Sequence, residues 1–278
     1  RQVSAVEYRG GTMLRVTANT GLLREIADCL SILSDEVRMV WGEKGLGVRV
    51  QEGGLVALID GVISDACFET YEVEPVEIGV EIGKLQDLLT LAGPDDLVEL
   101  DYDENVGQLN IRVGGVHRRL RGLDTGTMDN PRFPKLKYGI KDNDRESPNY
   151  GKIKEESRGV IIDAEKLSKS LRAAKFVGEL VDLSIEPKEF RISVTAEAGD
   201  HVNVRFEPGE LSELHCCPGG ESTYSLQFLA PLTRKLATGL AQDVQVRFQA
   251  GYPLCLSWSS NDGGASWSYF LAPRVANE

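Results

Sequence analysis

Two stretches of the chain carry residue types that could do chemistry. DYDENVGQLNIR sets Asp101, Asp103 and Asn105 at the alternating positions of a calcium loop. Such a loop needs glycine at its sixth position for the sharp turn and a bidentate glutamate at its twelfth; Val106 and Arg112 stand there, so no calcium site is read. His215-Cys216-Cys217 joins an imidazole to two thiols. Adjacent cysteines lack the two-residue spacing with which two thiolates share a zinc ion, and the stretch reads as a loop with ordinary thiols. His117 and His201 lie apart, among Arg-rich or polar strands. The chain has no GxxxxGK[ST] phosphate loop, no GxGxxG after a strand and no GxSxG elbow. No catalytic constellation, metal or cofactor is expected, and a binding function remains.

The elements that would position a binding surface read as follows. After the strand MLRVTA, residues 20–33 place Leu22, Ile26, Leu30 and Leu33 at helical spacing, with Asn19 or Thr20 as N-cap. Strands follow through EVRMVW, LGVRVQE, LVALIDGVI and FETYEV. A second helix, EIGKLQDLLTLAG, groups Leu85, Leu88, Leu89 and Ala92 and is closed by Gly93-Pro94. A meander of LVELDYD, QLNIRVGG and HRRLRGL comes next. The second half repeats the order: the strand VIID, a helix with Leu167, Leu171 and Ala174 on one side, three strands, a helix from SLQFLAPLTRKLATGLA, and three more strands. Strand, helix, strands, helix, strands in each half is a duplication of architecture, and the class is α+β. Between the halves, residues 122–157 are rich in Pro, Asn, Asp, Gly and Lys and read as a connector; its last twenty residues, 138–157, read as a mobile polar excursion.

Composition sets limits on both halves. Hydrophobic residues make up 41% of 278, enough for two cores, and no run of about 18 apolar residues suggests a membrane span. Five cysteines, an odd number without metal spacing, point to a reducing cytoplasm. The net charge of −12, from 43 acidic and 31 basic residues, speaks against wrapping nucleic acid over the whole surface. The basic set is 19 Arg and 12 Lys. A Lys-poor acidic surface suits a high-salt, halophilic interior, and a GC-rich genome would give the same bias.

CFETYEV, the LLTLAG helix end, the connector beginning GLD and above all the YFLAPR ending are together similar to the sliding clamps of archaea and eukaryotes, the proliferating cell nuclear antigen type. The resemblance covers about 13–121 and 158–275 and is of an archaeal or archaeal-virus character. It implies two similar clamp domains, 1–121 (with 1–12 as an extension) and 158–278, joined by the connecting loop 122–157. Each domain would have antiparallel sheets outside and two helices inside, in a ring of three identical subunits around duplex DNA. Closing such a ring pairs sheet edges that would otherwise be sticky. The implied partners are duplex DNA without sequence preference, DNA polymerase, the clamp loader and other proteins carrying a PIP motif, and no membrane.

On this resemblance the free helix faces meet DNA. Lys166, Lys169, Arg172 and Lys175 lie outside the apolar sector of their helix, and Arg234 and Lys235 end the fourth. In the first half the candidates are only Arg24 and Lys84, each outnumbered by acids on its helix. Phosphate contacts of this kind carry no base readout, which is what sliding tolerates. The resemblance also accounts for the apolar SWSYFLAPRVANE ending, as half of a pocket for a peptide bearing one aliphatic and two aromatic side chains. The residues implied are Gln51, Leu55, Leu123, Met128, Pro131, Pro253, Phe270, Ala272 and Pro273, with Arg274-Val275 offering backbone to the peptide. Gln51 replaces the methionine usual in the family. An acidic clamp-derived module that binds partners without encircling DNA is the second reading.

Overall fold

A computed structural model describes residues 12–93, 95–132, 134–260 and 263–274. The chain divides into two compact units: residues 12–50 with 61–131, and residues 51–60 with 132–274.

In the first unit the strands Thr12–Asn19, Thr70–Val73, Leu97–Asp103, Gln108–Val113 and Val116–Arg121 form a five-stranded antiparallel sheet, with the first of them between the second and third. Glu36–Gly42 pairs with both Gly45–Gln51 and Val76–Glu81 in another sheet. Strands alternate because one face meets the core: Glu36–Gly42 buries Val37, Met39 and Trp41 and turns the intervening residues outward. Helices α1 (Thr20–Leu30) and α2 (Ile82–Leu89) pack on each other. Asn19 caps α1, its Oδ1 accepting from the Gly21 amide at 2.7 Å. The buried stripe of α1 is Leu23, Ile26, Ala27 and Leu30; Leu22 lies only partly buried beside it, and Leu33 falls in the turn after the helix, which ends at Leu30 and not at 33. Thr20 is buried and donates to the Asp96 carbonyl from both its amide (3.0 Å) and its hydroxyl (2.7 Å), which fixes the first turn. Pro94, part of the expected stop signal of α2, lies outside the described residues, as do residues 1–11.

The second unit repeats the plan. Strands Gly159–Asp163, Asp243–Arg247, Leu254–Ser259 and Ala265–Leu271 pair in that order, with Glu213–His215 on the outer side of the first. The sheet His201–Phe206, Glu189–Thr195, Leu180–Glu186, Gly220–Ser225 is antiparallel throughout. Helices α3 (Ala164–Lys175) and α4 (Leu226–Lys235) pack together. Asp163 caps α3 through the Lys166 amide at 2.9 Å, and the buried stripe holds Leu167, Leu171 and Ala174 as their spacing requires. Trp258 and Trp267 stack at 6.1 Å in the strand pair that leads to the C-terminal segment.

The expectation for residues 138–157 needs correction. They form an antiparallel hairpin of Gly139–Lys141 and Ile153–Glu156, not a stretch without secondary structure. A polar composition hides its anchors. Tyr138 at its base is 3% exposed and donates to the Pro253 carbonyl at 3.0 Å, and Asp142 organises the far turn by accepting from Ser147 Oγ (2.6 Å) and the Asp144 amide (3.0 Å).

Candidate docking groove and basic helix face

An apolar groove of about 170 Å³ opens in the second unit. Its walls come from the 51–58 turn and strand, the 132–136 stretch and the C-terminal strand, and they include Gln51, Leu55, Pro253, Phe270 and Ala272 of the expected set. The floor is firm. Leu58 and Phe270 belong to a buried cluster with Tyr138 and Cys255, onto which Leu136 and Tyr252 pack. The Tyr138 and Tyr252 rings meet edge to face at 5.4 Å, and the Arg247 guanidinium lies 5.4 Å from the Tyr138 ring centre. Burial, then the neighbouring Cys255, pushes the Tyr138 phenol well above its ordinary range, so it stays a neutral donor. The Ala272 amide donates to the Val56 carbonyl at 2.9 Å and holds the C-terminal segment against the 51–58 wall.

Leu55 is the unusual member. It is the one non-glycine residue with positive φ among those described (φ 60°), and 70% of it is exposed. The turn that imposes this is built by Glu52, whose carboxylate accepts from the Gly54 amide (2.8 Å) and the Val56 amide (3.4 Å) while its carbonyl accepts from the Leu55 amide (2.8 Å). A large apolar side chain is thus held outward at the rim by a backbone it would not choose.

Four other expected groove residues do not line it. Leu123 and Met128 pack in the first unit against the strand Val76–Glu81. The Leu123 amide donates to the Gly79 carbonyl at 2.9 Å, and a Cβ at Gly79 would lie 2.7 Å from Leu123 Cβ and from Met128 Sδ, so the approach needs glycine. The Pro131 carbonyl accepts from Arg49 Nη1 at 3.2 Å, and Pro273 is absent from the lining. The expected free backbone at Arg274 is also corrected. Its amide donates to the Thr223 carbonyl at 2.8 Å in a bridge to Gly220–Ser225, because Pro273 cannot donate and the chain resumes pairing one residue later. Val275 lies outside the described residues. Conversely, Val56, Ala57, Leu58, Arg132, Pro134, Leu136 and Leu271 line the groove unforeseen. The apolar pair Pro134 and Leu136, inside an otherwise polar stretch, was the available signal.

The basic candidates divide by unit. Lys166, Lys169, Arg172 and Lys175 are all exposed on α3, three residues apart, and Arg172 and Lys175 fall in its last turn, where the helix dipole favours cations. Lys166 Nζ donates to the Glu210 carbonyl at 2.9 Å, which positions its charge without cancelling it. Arg234 and Lys235 occupy the last turn of α4, Arg234 exposed and Lys235 half-buried. The first-unit helices have no basic residue in their last turns. Arg24 does not face outward: it is half-buried, and its Nη2 donates to the carbonyls of Leu89 (2.8 Å) and Ala92 (2.9 Å), capping the end of α2. Lys84 is exposed but paired with Glu81 one turn away. Among the described residues no helix is long and apolar enough to cross a membrane.

Comparison with known proteins adds the following. Residues 13–118 match the family model for the N-terminal domain of proliferating cell nuclear antigen. The DNA polymerase sliding clamp of Methanoregula boonei is 27% identical over 264 residues, covering 95% of this chain and 99% of that protein. Its counterpart in Haloarcula marismortui is 26% identical over 269 residues, covering 96% and 100%. Among solved structures, A. fulgidus PCNA, determined with the C-terminal region of FEN-1 bound, aligns with a TM-score of 0.82 at 24% identity, covering 96% of this chain and 100% of that one. A chain of the PCNA2–PCNA3 complex from Sulfolobus tokodaii aligns with a TM-score of 0.74 at 19% identity, covering 94% and 99%.

Proposed function

We infer that this chain, which aligns nearly end to end with archaeal DNA polymerase sliding clamps and carries the N-terminal domain of the proliferating cell nuclear antigen family, is itself a sliding clamp. It works without catalysis. Encircling duplex DNA, it holds DNA polymerase and other replication and repair factors at high effective concentration beside their substrate. The repeats at 1–121 and 158–278 are its two clamp domains, with 122–157 between them.

The observation that carries this reading is the placement of charge. In a chain of net charge −12, four exposed cations share one helix whose other face is buried. Such a face suits phosphates without reading bases, so binding is sequence-independent and salt-sensitive. Lys166, Lys169, Arg172, Lys175 and Arg234 are the proposed DNA-facing set, joined by Lys235. The groove of Gln51, Leu55, Pro253, Phe270 and Ala272 is the proposed seat for a peptide anchored by aliphatic and aromatic side chains.

The engagement of Arg24 and Lys84 within the first unit favours a second reading, an acidic clamp-derived module that binds partners without encircling DNA. Light-scattering mass on a sizing column, at low and at molar potassium chloride, separates the two. A mass of three 30.5 kDa chains is expected, held or strengthened at molar salt where acidic surfaces repel less. A monomer at every salt concentration would sink the homotrimeric ring and favour the interaction module.

A further inference from the structure

The inserted hairpin brings a third ligand to a pair that sequence spacing left incomplete. His215 ends the strand Glu213–His215 and Cys217 lies in the bend just beyond it, which brings their ligand atoms to the same side, while the Cys216 thiol faces the Ile185 carbonyl at 3.8 Å. The return strand of the hairpin places Glu155 opposite them. Its Oε1 lies 3.8 Å from His215 Nε2, the Cys217 thiol faces the Glu155 carbonyl oxygen at 3.8 Å, and the three ligand atoms lie within 4.8 Å of one another. Among the described residues no other group of this kind occurs. Cys217 is 2% exposed, whereas the Glu155 side chain is 58% exposed.

We propose that Glu155, His215 and Cys217 form a binding site for one thiophilic divalent cation of the zinc class, which staples the hairpin Gly139–Glu156 to the edge strand Glu213–His215. One sulfur, one nitrogen and one oxygen ligand are the donor set zinc accepts, with water completing the tetrahedron. Bond lengths of about 2.0–2.3 Å require the ligand atoms to draw in by up to roughly an ångström. The protons balance. His215 Nδ1 now accepts the Arg158 amide at 3.1 Å, so the neutral ring carries its proton on Nε2. On binding, the cation takes the Nε2 lone pair, the ring proton passes to Nδ1, and the hydrogen bond from the Arg158 amide to Nδ1 is given up. The Cys217 thiol loses its proton to solvent, one per cation bound.

The test uses the full chain, reduced and freed of metal with a chelator, titrated with zinc against a chromophoric competitor. One equivalent is expected to bind, with Glu155→Gln and Cys217→Ala each weakening it at least about tenfold and Cys216→Ala changing it less than about threefold. Cobalt substituted for zinc should give a thiolate-to-metal charge-transfer band that Cys217→Ala removes and Cys216→Ala keeps. Because Cys217 is buried, circular dichroism of the metal-free variants establishes folding, and if Cys217→Ala unfolds, the zinc affinity of the exposed Glu155→Gln variant decides. The site is refuted by Glu155→Gln binding as tightly as the parent, by a missing charge-transfer band, or by Cys216→Ala abolishing the band. None of these readouts depends on ring formation or DNA.

Discussion

Leu55→Gly separates docking from folding at the groove. Glycine at φ 60° removes left-handed strain of about 1–2 kcal/mol. Against that stand a backbone entropy cost of about 0.5–1 kcal/mol and loss of the buried third of the side chain, about 0.5–0.9 kcal/mol of a full-burial value near 1.5–3. The terms nearly cancel, and stability should change by less than about 1 kcal/mol. Docking should change more. The 70% of Leu55 still exposed is what a partner would cover, worth about 1–2 kcal/mol, or roughly 5- to 30-fold in Kd. The assay pairs urea unfolding with calorimetric binding of a peptide bearing one aliphatic and two aromatic anchors. Leu55→Ala, which keeps the strain, should lose similar affinity and be the less stable of the two. Unchanged peptide affinity in both variants would refute the assignment of the groove as the docking seat.

Two further outcomes follow from the same structure. Changing Lys169, Arg172 and Lys175 together to Gln should flatten the slope of log affinity against log salt on linear duplex DNA by about 2.7, at about 0.9 for each phosphate no longer neutralised; an unaltered slope would remove α3 from the DNA-facing surface. Burial, then the charge of Asp65, pushes the Tyr71 phenol up to about 12, while its hydroxyl donates to the Gly42 carbonyl at 2.6 Å. A raised folded value means the contribution is whole below the unfolded value near 10 and lost as pH rises through about 12. Melting temperature against pH from 9 to 12 should therefore fall less steeply for Tyr71→Phe than for the parent, and parallel curves would show that Tyr71 does not contribute to the alkaline loss.

Much of this protein follows from local rules that act within a few residues. Period-two alternation marks strands such as Glu36–Gly42, helical spacing marks the Leu167, Leu171 and Ala174 stripe, and Asn19 announces its cap, because each depends on backbone geometry the residue itself experiences. The exposed α3 cations are legible for the same reason: burying one stripe of a helix fixes where the rest must point. Long-range partners are not legible this way. Arg24 looks like a surface cation until the end of α2, more than sixty residues away, arrives to accept its hydrogen bonds. Leu123 and Met128 read as groove walls, yet a bare glycine backbone at Gly79 draws them elsewhere. The polar hairpin is anchored by one buried tyrosine, and Glu155 meets His215 and Cys217 only because strand pairing returns the chain there. Sequence by itself determined the elements, their order and the sign of their faces. Which distant groups meet, and so where the groove, the caps and the three-ligand cluster lie, was decided by tertiary packing, since those contacts are set by how whole elements fit together and not by neighbours along the chain.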